Sequence, residues 1–344
     1  MSVIGIPRGM LFYEFYPMWR AYFEGLGVTV VTSQRSSRNV VDAGILCAVD
    51  EACLPVKVFL GHCLDVSRRS DMLFVPRIVS VEPGAYTCPK ILGLPDMVNA
   101  IPGVAPVLTV VVDYTKRRFA ALGAALEIGD KLGVSRLRAA YAYAEAVAGH
   151  RRFAKGLAKG GGWFAAACEG SGAPVHGRPR VLVLGHSYVI NDEAINLGMK
   201  DHLERLGAQA VAPESISCDL AGRCAARLPK RLFWTYEKRL YGSASHYMAR
   251  GLCDGIIQVM SFGCGPDSLI SEIIRREAAR KRVPYMAMIV DEHTGEAGTV
   301  TRLEAYLDML CRRAVARGSA PAEGGAPVEA RAAVDGARAG ATTI

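Results

Sequence analysis

The chain has 344 residues, 51% of them hydrophobic and 22% charged, which is enough for two ordinary domains, each with its own core. Its longest apolar runs, such as Ile101 to Val112, contain prolines and fall short of a bilayer span, so a membrane protein is excluded. The net charge of +8 comes from scattered Lys and Arg with no aromatic-interleaved basic stripe, which argues against nucleic acid and suits an acidic protein surface or a phosphate-bearing small molecule.

The N-terminus begins directly with the strand-like "SVIGIP" and shows no secretory pattern, so the protein is expected to be cytoplasmic. A strand at Val3 to Pro7, a helix and a strand at Val28 to Ser33 come first. Apolar runs at Asp71 to Pro76 and Val107 to Asp113 supply further buried strands. An Ala-rich segment of helical periodicity follows, and "GSGAPVHGRP" (Gly170 to Pro179) reads as a hinge. The opening order then returns: a strand at Arg180 to Gly185, a helix over "HSYVINDEAINLGMKDHLERLG", and a strand at Ala208 to Pro213. Both helices end in Leu-Gly, at Gly27 and Gly207, where glycine takes the left-handed cap conformation. Runs at Cys253 to Met260 and Pro284 to Val290 complete the second set.

Strands alternating with helices predict an α/β protein of two Rossmann-like lobes with mostly parallel sheets. The expected divisions are an N-terminal lobe at 1–113, a helical connector and hinge at 114–177, a C-terminal lobe at 178–316 and a tail at 317–344. The tail is rich in Ala, Gly and Pro without large apolar residues, and disorder is expected there.

Ten cysteines in a cytoplasmic chain stay reduced and are free for metal. None forms a Cys-x-x-Cys pair, so any metal site must be assembled from distant segments. Cys264, in "MSFGCGPDS", follows a buried strand and precedes a helix whose first turn accommodates Pro266. That setting puts its sulfur at the carboxyl end of a parallel strand, where open α/β sheets bind ligands and a helix N-terminus favours thiolate. Gly263 and Gly265 allow close backbone approach to a bulky ligand. Cys53 in "DEACLPVK" and Cys88 in "YTCPKILG" repeat the helix-start setting, with Lys57 and Lys90 close behind. Three thiolates and two lysines so arranged would suit a thiolate-held iron-sulfur cluster. Cys168, Cys218, Cys224 and Cys311 read as small packed residues, while Cys47, Cys63 and Cys253 lack the helix-start context.

The segments "IGIPRGMLFYEFYPMWRAYFEGLG", "DEACLPVKVFLGHCLDV", "PRIVSVEPGAYTCPKILGLPDM", "SFGCGPDSLISE" and "DEHTGEAGTVTRLEAYLDML" resemble, in this order, the activase-related CoA protein activases. These are kin to the subunits of 2-hydroxyacyl-CoA dehydratase and benzoyl-CoA reductase and to the double-cubane cluster proteins. The resemblance covers about Val3 to Leu310. It implies two Rossmann-like lobes around an iron-sulfur cluster, [4Fe-4S] or alternatively a double-cubane [8Fe-9S], with Cys53, Cys88 and Cys264 as ligands. It also implies reduction by a separate ATP-hydrolysing [4Fe-4S] activase and an acyl-CoA or other small-molecule substrate; whether the chain forms a homo- or hetero-oligomer is left open by the sequence. No Walker loop or acetate-kinase-type phosphate repeat is found here, so the ATPase is assigned to another polypeptide. A double-cubane would have to recruit Cys47, Cys63 or Cys253.

Around the expected cluster, Glu51, His186, Asp291, Glu292 and His293 are the candidate acids and bases for proton delivery, each weighed against an ordinary cap or solvated charge. His62 reads as a packed helix histidine, and Arg117, Arg118 and Arg151 as a solvated helix face. Two other readings stand beside the enzyme component. One is a non-enzymatic two-lobe ligand-binding or cluster-storage protein. The weaker one is a dinucleotide-binding enzyme built on Gly263-x-Gly265-x-x-Ser268 with Asp291, which Ser268 in the third position and Pro266 inside the turn disfavour.

Overall fold

The computed structural model describes residues 2–164 and 178–316. Residues 170–177 of the expected hinge at Gly170 to Pro179, together with Cys168 and the tail at 317–344, lie outside the described residues.

The protein is mixed α/β with parallel sheets. Residues 3–113 supply β1 (Val3–Ile6), β2 (Thr29–Thr32), β3 (Met72–Phe74), β4 (Arg77–Ser80), β5 (Val107–Leu108) and β6 (Val111–Asp113). Four of these form a sheet in the order β2-β1-β3-β5, and β4 pairs with β6 just beyond it. Pro76 separates β3 from β4, and a proline cannot donate to a ladder, so the chain resumes pairing only after it. The second sheet, of β7 (Arg180–Leu184), β8 (Gln209–Val211), β9 (Gly255–Ser261) and β10 (Tyr285–Val290), has the order β10-β9-β7-β8. Counted along the chain, both sheets run second, first, third, fourth. The direction of winding therefore reverses between β1 and β3, and again between β7 and β9, which opens a crevice at the carboxyl ends of those strands.

Helix α1 (Phe12–Gly25) ends before Gly27, whose φ of 78° is left-handed as expected, and Gly207 has a φ of 87°. Helices α2 (Arg38–Cys47) and α3 (Leu54–Ser67) cross so closely that a Cβ on Gly44 would fall 1.8 Å from the Lys57 carbonyl oxygen. That contact fixes α3, and with it Cys53 at the head of α3. Two short helices, α4 (Pro89–Leu92) and α5 (Leu94–Asn99), follow β4. Helices α6 (Ala120–Lys131) and α7 (Arg136–Lys159) lie between the two sheets in sequence.

The single helix expected after β7 is instead three: α8 (Ser187–Ile190), α9 (Glu193–Asn196) and α10 (Met199–Arg205). Local side-chain bonds compete with the helix here: Asp192 Oδ1 accepts from the Ala194 amide, and the Asn196 amide nitrogen donates to the Ile190 carbonyl. Leu197 and Gly198 then adopt left-handed backbone. Beyond β8 come α11 (Cys218–Ala225), α12 (Thr235–Arg250), α13 (Gly265–Arg280) after β9, and α14 (Glu296–Ala316) after β10.

Buried polar contacts tie the two halves together. Tyr13 Oη and Ser36 Oγ donate to Asp192 Oδ2 at 3.1 and 2.6 Å, and Arg239 meets Glu14 at 2.5 Å. Tyr86 exchanges backbone bonds with Phe233 and Thr235. His62, fully buried in α3, sits 2.8 Å from Ser36 Oγ, and burial lowers its pKa to about 4, so it is a neutral packed residue. Arg117, Arg118 and Arg151 are exposed, the first two in a turn ahead of α6. No helix among the described residues is long and apolar enough to cross a membrane.

Candidate functional site

Cys53, Cys88 and Cys264 are the residues immediately before α3, α4 and α13, each with a proline in the first helical turn. Proline suits that turn because its missing N–H would be unpaired there anyway. The fold brings the three helix starts together. Lys90, two residues after Cys88, extends Nζ to the carbonyl oxygens of Glu51 (3.2 Å) and Gly263 (3.4 Å), next to Cys53 and Cys264 respectively. One lysine thus touches all three cysteine-bearing segments. The thiols also feel one another: Cys53 and Cys264 both act on Cys88 to disfavour its thiolate.

Burial is the largest influence on two of these thiols. It raises Cys53, against opposition from Lys90 and the Val56 amide, and raises Cys88 to about 11, against the Ile91 amide and His186. The expectation that helix starts would hold them as thiolates is therefore corrected for Cys53 and Cys88. The amides do act in that direction, but desolvation outweighs them.

The cradle beside the thiols is open. Gly263 has a φ of 74°, and a Cβ there would meet only the Glu51 carbonyl oxygen, at 3.9 Å; a Cβ on Gly265 would meet nothing within 4 Å. Three convergent free cysteines, a neighbouring ammonium and unfilled space above two glycines fit a thiolate-held cluster. Two of the cysteines proposed for a larger cluster lie elsewhere. Cys63 is fully buried ten residues into α3, roughly 15 Å along the helix from Cys53. Cys253 precedes β9, whereas Cys264 follows it. Cys47 Sγ donates to the Ala43 carbonyl at 2.8 Å.

His186, at the carboxyl end of β7, is the candidate acid or base that the fold brings to the cysteines. It is buried, stacked on Tyr188 at 4.9 Å, with Nε2 3.2 Å from Asp267 Oδ1 and 3.7 Å from Glu237 Oε1. Burial opposes charge on its ring, but Asp267, Cys264 and Glu237 outweigh burial and raise its pKa well above the ordinary imidazole value. Donor atoms of His186, Cys264 and Asp267 lie within 4.8 Å of one another. Neither Asp267 oxygen has a hydrogen-bond partner among the described residues, although the side chain is wholly buried. The polar group that faces it is the His186 ring, with Nε2 3.2 Å away.

The remaining candidates are placed differently. Glu51 is exposed and contributes its carbonyl, not its carboxylate. Asp291 Oδ1 accepts from the His293 amide and from Thr294 Oγ1, which lower its pKa and make it a turn residue; His293 is exposed. Glu292 is bonded to Lys57 at 2.6 Å, and that bond is the main cause of its lowered pKa. Lys57 is buried in this pair instead of standing free beside the thiols, so the pair acts as a clamp between α3 and the loop after β10. Asp267, Glu237 and Tyr236 were not singled out from the sequence. For Asp267 a signal existed, since it stands three residues after Cys264 in the first turn, on the same helix face. For Glu237 and Tyr236, in an ordinary amphipathic helix, there was none.

No curated protein matches the chain. A family model described as CoA enzyme activase uncharacterised domain matches residues 3–216, more than half of its length. Cys53, Cys88 and His186 fall inside the matched span, Cys264 and Asp267 beyond it, and on that match the chain belongs to the CoA enzyme activase uncharacterised domain family.

Proposed function

We propose that the protein holds an iron-sulfur cluster, most simply [4Fe-4S], on Cys53, Cys88 and Cys264. In this reading it accepts low-potential electrons from a separate ATP-hydrolysing activase to drive a reductive or dehydratase-type reaction on a small molecule. The observation that carries this is the meeting of three cysteine-bearing helix starts around Lys90. When bound, such a cluster supplies one-electron transfer at a potential that can be very low. The family description supports a CoA-linked system, and an acyl-CoA is the substrate class it suggests.

The chain's own residues have distinct parts in this reading. The thiols of Cys53 and Cys88 must lose protons on loading, because metal ligands are thiolates. Lys90 locks the three segments in register and supplies positive charge, and the Lys57–Glu292 pair closes the second lobe over α3. His186, its pKa raised by Asp267, Cys264 and Glu237, is placed to hold the proton that reductive chemistry requires.

Anaerobic purification with iron and sulfide analysis and EPR tests the reading. A brown protein with about four irons and four labile sulfides per chain is expected. With activase, ATP and a reductant the absorbance should bleach and a new EPR signal appear, and a non-hydrolysable ATP analogue should prevent both. The isolated protein should hydrolyse no ATP. A colourless protein after reconstitution would falsify the cluster. A second reading, a mononuclear cation held by His186, Cys264 and Asp267, is favoured by their convergence within 4.8 Å and predicts one zinc without sulfide.

A further inference from the structure

The second sheet ends in β10, and no strand among the described residues pairs with its outer side. An open edge invites another strand, so folded proteins blunt such edges with charge, proline or short length. Every other edge strand among the described residues has four residues or fewer. β10 has six, Tyr285-Met286-Ala287-Met288-Ile289-Val290, with no charge, proline or glycine among them. The direction of its backbone groups follows from its ladder with β9. The carbonyls of Pro284 and Val290 accept from the amides of Ile256 in β9 and Phe262 just beyond it, so the even-numbered residues face β9. Tyr285, Ala287 and Ile289 therefore turn their N–H and C=O groups outward, and no group among the described residues takes them. Neither flanking helix covers the edge. α13 is drawn towards α12, where Ser245 Oγ donates to Glu277 Oε1 at 3.2 Å, and α14 towards α10, where His202 Nε2 lies 3.0 Å from Glu296 Oε1. Ala287 is exposed, and Ile289 is 54% exposed.

The charges at the two ends of β10 select the occupant. Lys281 and Arg282 stand exposed just before the strand; the nearby Glu272 is held by Arg275 and Arg276, and neither Lys281 nor Arg282 is in an ion pair among the described residues. Asp291 stands just after the strand, and Lys57 is taken by Glu292, so Asp291 likewise has no ion pair among the described residues. A strand with a basic start and an acidic end is complemented by a second copy running the opposite way, not by one running the same way. We propose that two copies of this chain pair β10 with β10, antiparallel, about a two-fold axis at Ala287, joining two four-stranded sheets into one. In that register Ala287 meets its own copy and Tyr285 lies opposite the partner's Ile289, an aromatic and β-branched pair that covers the exposed Ile289. The outward N–H and C=O groups of Tyr285, Ala287 and Ile289 are all satisfied across the axis. Val283 falls opposite the partner's Asp291, which brings Arg282 beside that carboxylate. The pairing involves no cysteine, so it stands or falls apart from the cluster.

Analytical ultracentrifugation and amide hydrogen exchange on the full chain test the pairing. The wild type should be a dimer at micromolar concentration, and exchange at Ala287 and Ile289 should slow as concentration rises. Ala287 is exposed and sits on the axis, so Ala287→Lys or Ala287→Glu leaves the packing of the monomer alone and sets two like charges face to face. Each should weaken the dimer about a hundredfold. Mixed in equal amounts, the two variants should pair with each other about as tightly as the wild type does, which misfolded variants could not do. Leu269→Lys is the control. Leu269 is 72% exposed but shares a helix ridge with Glu277, on the α12 side of α13, and its substitution should leave the dimer intact. The proposal is overturned by a monomeric wild type, whether its β10 amides exchange freely or are protected at every concentration by the chain's own residues 317–344. It is equally overturned by charged Ala287 variants that dimerise like the wild type, by mixed variants that stay monomeric, or by a dimer that Leu269→Lys breaks as readily.

Discussion

The two sheets share one strand order, yet their switch points have opposite contents. In the first lobe the ends of β1 and β3 are filled: Ile6, Met10, Phe59, Phe74 and Val75 surround a space of only about 20 Å³. In the second lobe the equivalent ends of β7 and β9 carry His186 and Cys264, with buried Asp267 and Glu237 against them and a cavity of about 350 Å³ alongside. The same topology makes a packed core in one half and a polar, under-satisfied site in the other. Topology determines where a crevice can form, and the side chains at two strand ends decide whether it is used. The first lobe contributes to the site differently, by lending two helix starts, Cys53 and Cys88, to the second.

If that division holds, substitutions in the two lobes should fail in different ways. The largest effect is expected at the cysteines: Cys53→Ser, Cys88→Ser or Cys264→Ser should each lose or destabilise the bound iron, while Cys218→Ser and Cys311→Ser keep it. Equal iron contents in the two sets would sink the ligand assignment. Next comes Phe74→Ala in the packed lobe. Phe74 is 4% exposed and meets Trp19 and Phe23 edge-on at 5.4 and 4.9 Å. Its truncation should cost about 3–5 kcal/mol by denaturant unfolding. A loss below about 1 kcal/mol would mean that the first switch point is not the rigid half.

Much of this was legible in the sequence, because strand runs and Leu-Gly caps are local signals. Cys53, Cys88 and Cys264 stood out because each is followed within two residues by a proline that can only begin a helix. What was not legible depends on contacts between distant segments. No local pattern pairs Lys57 with Glu292, 235 residues away, or aims His186 at Asp267. The break of the helix after β7 was missed because its apolar spacing is helical while Asp192 and Asn196 act through side-chain bonds. Gly263 is a case that sequence and structure describe together, and it gives a smaller prediction. With a φ of 74° and free space around it, Gly263→Ala should cost about 1–2 kcal/mol through backbone strain alone. Gly265→Ala, which has neither positive φ nor a close neighbour, should be near neutral for stability. If it nevertheless lowers iron content, the open space above the glycines is occupied in the loaded protein.

The last effect, one visible through its pH dependence, should come from the second lobe's unsatisfied carboxyl. At the end of β2 in the first lobe, Ser33 Oγ accepts from the Arg8 amide at 2.8 Å, whereas Glu214, just after β8, has an enclosed oxygen with no partner among the described residues. Burial raises the Glu214 pKa from 4.5 to about 8. Below pH 4.5 the carboxyl is protonated in both folded and unfolded chains and imposes no pH-linked loss. As pH rises from 4.5 towards 8 the unfolded chain releases its proton and the folded chain does not, so the wild type progressively loses stability; above 8 both are ionised and the loss levels off. Glu214→Gln removes this titration while leaving every other group in place. The melting temperature of the variant minus that of the wild type should therefore climb by a few degrees between pH 5 and pH 8 and then flatten. A difference that stays constant with pH would show that the carboxyl is already satisfied, and the contrast between the two lobes would then rest on His186 and Asp267 alone.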